Sequence, residues 1–220
     1  DPDDDGDGFS DAAEVYVGTD ALTAGSVPGT PAVVYVDDNC TTATPGWGYD
    51  HFATIQGGID AVANGGTVNV AAGTYNESVT VGHKTLDIGG AGAGASIIDG
   101  TGLTSQFLVY FVETDAGSIP MSFHGFTLRN APLYGGLRYP VRVFMAHAGS
   151  TVIVANNAIE CANDPANTIA INLSTCDPAS SVALNYNTIT DSGNNPILVE
   201  CALGAVEIGH NTITQPEGGG

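Results

Sequence analysis

Basic residues are almost missing from this chain. Four of them, Lys84, Arg129, Arg138 and Arg142, stand against 24 aspartates and glutamates, for a formal net charge of −20 over 220 residues. Phosphate backbones are held by lysine and arginine, so nucleic acid is not an expected partner. A metal cation is, although a salt-rich habitat also selects an acidic surface. No apolar run approaches the ~20 residues that span a bilayer, so no membrane insertion is expected. No signal peptide is present, and the abrupt acidic start reads as a mature, processed form. No CxxC pair occurs among Cys40, Cys161, Cys176 and Cys201, and no His/Cys spacing resembles a zinc site. An even cysteine number without those motifs points to disulfides in an oxidising compartment, with three connectivities open. Shared inward strand parity favours Cys161–Cys201 over Cys161–Cys176. Asn39, Asn76 and Asn172 each begin a glycosylation sequon, no more often than chance provides.

What the chain does have is a repeated phrase. Val152-Ile-Val-Ala-Asn-Asn157-Ala-Ile159 returns as Val182-Ala-Leu-Asn-Tyr-Asn187-Thr-Ile189 and as Val206-Glu-Ile-Gly-His-Asn211-Thr-Ile213. A looser copy, Met121-Ser-Phe-His-Gly-Phe126-Thr-Leu128, has Phe in the place of Asn. Apolar residues at the first, third and eighth places alternate at period two, so each half is a short strand and the Asn marks a bend. A second series, Val141/Val143/Met145, Ile169/Ile171/Leu173 and Ile197/Val199/Cys201, interleaves with the first at a constant step of 28 residues. Two series sharing one period predict three-strand coils stacked into a solenoid, an all-β parallel β-helix. Asn157, Asn187 and Asn211 are expected to stack as a ladder at the bend, satisfying backbone groups that lose their strand partners there.

Residues 1–20 hold eight of the acids and no base. Counted from Asp3, side-chain carboxylates fall at Asp3, Asp5, Asp7, Asp11 and Glu14, places one, three, five, nine and twelve. Gly8 is at six and the Phe9 carbonyl is at seven. That is the pattern of a twelve-residue calcium loop, with Ca²⁺ as the expected cofactor and these six residues as its ligands. No apolar helix precedes the loop, so it is not half of an EF-hand pair. The stretch DPDDDGDGFSDAAEVYVGTD, ending in Glu14-Val-Tyr-Val-Gly18-Thr-Asp20, resembles the thrombospondin type 3 and related calcium repeats of secreted proteins. The resemblance implies calcium held for structure. Residues 21–32, Gly/Pro-rich and uncharged, read as a linker before a β-helix domain over 33–220.

Ala53–Ala63 has Ile55, Ile59, Val62 and Ala63 on one helical face. With Gly73-Thr-Tyr75-Asn-Glu77 after the strand Thr67–Val70, the run ATIQGGIDAVANGGTVNVAAGTYNESVTV resembles the opening of the pectin-lyase-like right-handed parallel β-helix. In that family a short helix caps the first coil and a Gly-Thr-Tyr-x-Glu turn follows the first strands. With the repeats, this resemblance covers roughly residues 33–214. It implies the fold; function has to be argued from sites.

Catalytic signals are sparse. Asp177, Asp191 and Glu200 are scattered among turns, and Arg129, Arg138 and Arg142 lie on or near one coil. Neither the Asp-Asp pair nor the Gly-His-Gly run of the related pectin hydrolases occurs, and His124 and His210 read as strand or turn residues. No catalytic residue is assigned. The expectation is an extracellular, calcium-binding structural β-helix that assembles head-to-tail with copies of itself. The alternative is a polysaccharide-binding or polysaccharide-degrading surface protein, with Tyr134, Tyr139 and Phe144 as a sugar platform.

Overall fold

The computed structural model describes residues 2–113, 120–145, 149–161, 167–175, 177–192 and 195–214. The alternating pattern resolves into three parallel sheets. Sheet 1 has eight strands, in the order His51–Phe52, Val33–Val36, Gly66–Val70, Leu86–Gly90, Pro120–His124, Thr151–Ala155, Ser181–Asn185 and Ala205–Gly209. Sheet 2 runs from Gly73–Tyr75 through Ser96–Asp99, Phe126–Arg129, Ala158–Glu160 and Thr188–Thr190 to Thr212–Thr214. Sheet 3 stacks Val79–Gly82, Val109–Glu113, Val141–Met145, Ile169–Thr175 and Asn195–Ala202. The chain visits the sheets in the order 1, 2, 3 and then climbs one strand, which is a parallel β-helix.

The core follows the repeated phrase. Val152, Val154 and Ile159, then Val182, Leu184 and Ile189, point inward and are buried in one continuous cluster. In the looser copy Phe126 fills the asparagine's place and lies 4.4 Å, centroid to centroid, from Phe123. One antiparallel hairpin, Leu133–Tyr134 with Leu137–Arg138, interrupts the coils. Its pairs are too short to carry a hydrophobic periodicity.

Two helices flank the solenoid. α1 spans Asp11–Val17 and α2 spans Ile55–Ala61. α2 packs its buried Ile55 and Ile59 over the first coil. Both of its ends are held from the coil beneath. Glu77 accepts from the Ile55 and Gln56 amides at 2.7 and 2.9 Å, satisfying donors that a helix start leaves open. Lys84, the sole lysine, donates to the carbonyls of Ile59, Asp60 and Val62 at 2.8–3.0 Å. The Glu of the Gly-Thr-Tyr-x-Glu turn is thus a helix cap. Among the described residues no helix is long and apolar enough to cross a membrane.

The cysteine expectation is corrected. Cys40 and Cys161 carry free thiols. Cys161 directly follows the strand Ala158–Glu160 of sheet 2, whereas Cys201 belongs to the strand Asn195–Ala202 of sheet 3. Strand parity predicts inward facing but not which sheet a residue occupies. Burial, with Asp191 nearby, pushes the Cys161 thiol up to about 12, an inert core residue. Cys176 lies outside the described residues. Of the sequons, Asn172 is buried, Asn76 donates to the carbonyls of Asp99 and Thr101, and Asn39 is exposed.

Candidate metal centre

The acidic start folds on itself before it meets the solenoid. Gly8 adopts φ +99°, which a side chain would strain, and this lets the loop reverse. Asp3 then accepts from the amides of Gly6 and Gly8 at 2.7 and 3.0 Å. The Asp7 amide donates to Asp5 at 3.2 Å and the Phe9 amide to Asp7 at 2.9 Å. Asp3 spends both oxygens on the turn that follows it, and Asp5 and Asp7 one each. Asp11 closes the loop, its amide donating to the Pro2 carbonyl and its Oδ1 accepting from the Asp4 amide, both at 2.9 Å. Ser10 caps α1 by accepting from the Ala13 amide.

Those bonds leave specific oxygens over. Asp3, Asp5 and Asp7 each offer a carboxylate oxygen within 4.8 Å of the others. Asp5 Oδ2, Asp7 Oδ2 and Glu14 Oε2 are closed to solvent and have no hydrogen-bond partner. Glu14 is fully buried, an unusual place for a glutamate without a counter-charge. Burial raises the Asp5 carboxyl above its ordinary value, and Asp7, Asp3 and Asp11 add repulsion. Burial likewise raises Glu14, with Asp7, Asp5 and Asp11 behind it. Crowded, desolvated oxygens with nothing to bond are a donor set for a hard cation.

Of the six expected ligands, Asp3, Asp5 and Asp7 converge; Glu14, on α1, is not in that close group, though the charges of Asp7 and Asp5 act on it. Asp11 is near enough to act on both Asp5 and Glu14, while one of its oxygens is used in closing the loop. The Phe9 amide is engaged as described. Asp20 sits apart, accepting from the Leu22 amide and the Thr23 hydroxyl. Sequence reasoning missed Thr19, whose hydroxyl lies 3.4 Å from Glu14 Oε1 and 3.3 Å from its carbonyl. The Gly-Thr-Asp ending after Glu14 was its signal.

The segment also docks on the solenoid. The Tyr16 hydroxyl donates to Asp50 at 3.4 Å, and Gly8, Phe9 and Ser10 face Thr42, Trp47 and Gly48 across a cavity of about 310 Å³. Residues 3–24 match the bacterial TSP3 repeat. The match covers the loop, α1 and the turn around Asp20, and stops before the β-helix. Comparison of the chain with curated proteins and with solved structures returns no match.

At the bend between sheets 1 and 2, the asparagines bond from coil to coil. Asn157 donates its amide and its Nδ2 to Asn187 Oδ1 at 3.1 and 3.2 Å. Asn187 does the same to Asn211 Oδ1 at 2.8 and 3.0 Å. Their Nδ2 groups also reach the carbonyls of Phe123, Val154 and Leu184. Phe126 donates its amide to Asn157 Oδ1, ending the row where Phe replaces Asn.

Among the described residues the scattered acids and bases form separate pairs and turns rather than one cluster. Arg129 pairs with Asp99 at 2.8 Å on sheet 2, whereas Arg142 on sheet 3 binds Asn172, Glu200 and Ser174. Arg138 donates to the Ala131 carbonyl beside the hairpin. Asp177 accepts from the Ala179 amide in a turn, Asp191 lies just beyond Thr188–Thr190, and Glu200 is occupied by Arg142. Phe144 lies under the Arg142 guanidinium, Tyr139 packs edge-on against Phe107, and Tyr134 stands exposed on the hairpin.

Proposed function

We propose that this is an extracellular structural protein: a pectin-lyase-like β-helix carrying one calcium-stiffened repeat, which associates head-to-tail with copies of itself. Calcium rests on one observation, the three buried and unpartnered oxygens of Asp5, Asp7 and Glu14. Asp3, Asp5, Asp7, Asp11, Glu14 and the Phe9 carbonyl supply the six oxygens that such an ion takes, in the spacing of a calcium loop. The ion would screen carboxylates that otherwise repel and lock α1 to the loop. The extracellular reading rests on the TSP3 match, since the cysteines no longer support it.

Association is supported by two apolar surfaces. At the last described coil, Leu203, Ile208 and Ile213 are 62%, 49% and 42% exposed, beside strand edges that are open among the described residues. On the N-terminal segment, Val15 and Leu22 are 72% and 74% exposed. A contact joining residues 1–36 of one copy to 195–214 of the next is heterologous, and it propagates as a filament unless it closes into a ring. Calorimetric titration with Ca²⁺ tests the site, and one strong binding event is expected. Sedimentation across micromolar concentrations, with Ca²⁺ and with chelator, tests the assembly. Growth with concentration supports it; a monomer throughout refutes it and leaves the calcium assignment standing.

A further inference from the structure

Among the expected calcium ligands, Glu14 depends most on structure outside the acidic loop. Asp3, Asp5 and Asp7 sit in turns closed by the loop's own hydrogen bonds. Glu14 is carried by α1, which has seven residues and stops at Gly18, in left-handed backbone at φ 85°. Isolated helices shorter than ~12–15 residues are marginal in water. What packs against α1 therefore decides where Glu14 stands.

The solenoid supplies that packing. Two residues along a helix are about 200° apart around its axis, so Tyr16 leaves α1 on the side away from Glu14. Its hydroxyl donates to Asp50 Oδ2 at 3.4 Å. The other oxygen, Asp50 Oδ1, holds His51 Nδ1 at 2.7 Å, and the His51 ring stacks on Tyr35 with centroids 5.2 Å apart. The Asp50 side chain is 15% exposed. Its backbone is fixed as well. The Gly46 carbonyl accepts the amides of Tyr49, Asp50 and His51, each at 3.0 Å, and the Asp50 carbonyl accepts the Tyr35 amide at 2.8 Å. A Cβ on Gly46, where φ is +77°, would collide with Asp50 Oδ1 and fall 2.9 Å from His51 Nδ1 and 3.0 Å from Tyr16 Cε1. Tyr16, Asp50 and His51 thus meet over a glycine. Phe9, whose carbonyl is another expected ligand, lines the cavity between segment and solenoid together with Trp47.

These contacts make one path from the metal site to sheet 1: Glu14, α1, Tyr16, Asp50, His51 and the strand Val33–Val36. We propose that Asp50 is a positioning residue for the calcium site. Through Tyr16 it holds α1 with Glu14 in reach of the aspartate loop, and the segment binds Ca²⁺ at full affinity only while docked on residues 46–52. This rests on the calcium reading above and makes the solenoid part of the site. Apparent affinity scales with the fraction of molecules in the competent arrangement, so loosening the dock weakens binding without touching a ligand. By linkage, Ca²⁺ tightens the dock by the same factor. The contact lies within one chain, so it holds whether or not copies associate.

Calorimetric Ca²⁺ titration of the full chain provides the test, with Tyr16→Phe, Gly46→Ala, Asp50→Ala and Asp50→Asn beside the parent. None of the three positions is an expected ligand, and far-UV circular dichroism checks that each variant keeps its sheets. Asp50→Ala and Gly46→Ala should weaken binding about tenfold, and Tyr16→Phe, which removes one hydroxyl and no charge, about threefold. Asp50→Asn keeps an oxygen for the tyrosine hydroxyl and should regain most of the affinity that Asp50→Ala loses. The proposal is overturned if the folded variants bind like the parent. It is also overturned if Asp50→Asn is as weak as Asp50→Ala while Tyr16→Phe is unchanged, which is the pattern of a lost negative charge acting through space. A parent that binds no Ca²⁺ overturns the calcium reading itself, and this proposal with it.

Discussion

Asn187 is the most informative single residue to remove. Its side chain uses both amide hydrogens and both oxygen lone pairs. Nδ2 donates to Val154 O at 2.8 Å and to Asn211 Oδ1 at 3.0 Å, while Oδ1 accepts the Asn157 amide and Nδ2 at 3.1 and 3.2 Å. The residue is 1% exposed, so water cannot substitute. In Asn187→Ala, Asn157 Nδ2 keeps its bond to Phe123 O, but the Asn157 amide and the Val154 carbonyl each lose a partner. An orphaned buried group costs roughly 1–3 kcal/mol, so two of them put the loss at about 2–6 kcal/mol. Asn211→Ala, at the partly buried end of the row, should cost about 1 kcal/mol. Urea unfolding followed by far-UV circular dichroism measures the difference, and amide exchange locates it. Exchange should quicken first at Asn157 and Thr188, whose amide donates to the Asn157 carbonyl at 2.8 Å. Equal losses for the two variants, or a loss below about 0.5 kcal/mol for Asn187→Ala, would refute the idea that the row braces the bend.

Chelation should open residues 2–26 to proteolysis while the three sheets keep their circular dichroism, because the solenoid has its own core; simultaneous loss of both would contradict this. Asp5→Asn or Glu14→Gln should weaken Ca²⁺ binding by an order of magnitude or more in a calorimetric titration. Burial pushes Asp99 up, but hydrogen bonds from Thr101, Asn130 and Arg129 outweigh it and hold the carboxyl well below its ordinary 3.8. Since the folded value is depressed, the stability it contributes is fully present above about pH 4 and drains away as the pH falls further. Arg129→Met should shrink that acid-side loss in pH-dependent melting. Iodoacetamide should label Cys40 in the folded chain and Cys161 only after unfolding.

The coils were legible because burial on one face writes period two into the sequence, and stacking writes that period again every 24–31 residues. Thr151–Ala155, Ser181–Asn185 and Ala205–Gly209 fall where the repeated phrase places them. α2 was legible from Ile55 and Ile59 at helical spacing. What was not legible is what one coil does to another. Glu77 and Lys84 hold α2 from more than 20 residues away; the turn motif marked Glu77 but not its partner, and Lys84 belongs to no local pattern. The same holds for Cys161 and Cys201, whose sheets depend on turn lengths between strands. In the metal segment, carboxylate spacing named the converging aspartates, but α1, which brings Glu14 to them, has only seven residues and leaves little periodicity to read.

The fifth place of the repeated phrase carries a further physical constraint. Asn156, Tyr186 and His210 all adopt left-handed backbone, at φ 56°, 57° and 55°. For a residue with a Cβ this costs roughly 1–2 kcal/mol, and only asparagine accepts it readily. In these three coils the following residue is a bonded asparagine, whose contacts to neighbouring coils fix the bend and offset the strain. Tyr186 and His210 add a stack with centroids 4.8 Å apart. In the looser copy Phe126 replaces the asparagine, and the fifth place is Gly125, at φ +80°. A Cβ there would also fall 2.7 Å from the Gly90 carbonyl oxygen. The bend is therefore built in two ways: by glycine where the backbones approach closely and no asparagine follows, and by hydrogen bonds where a side chain must be held left-handed. On this reasoning the fifth and sixth places act as a unit, and loss of Asn187 should free Tyr186 together with the amides of Asn157 and Thr188, while the strands beyond the bend hold.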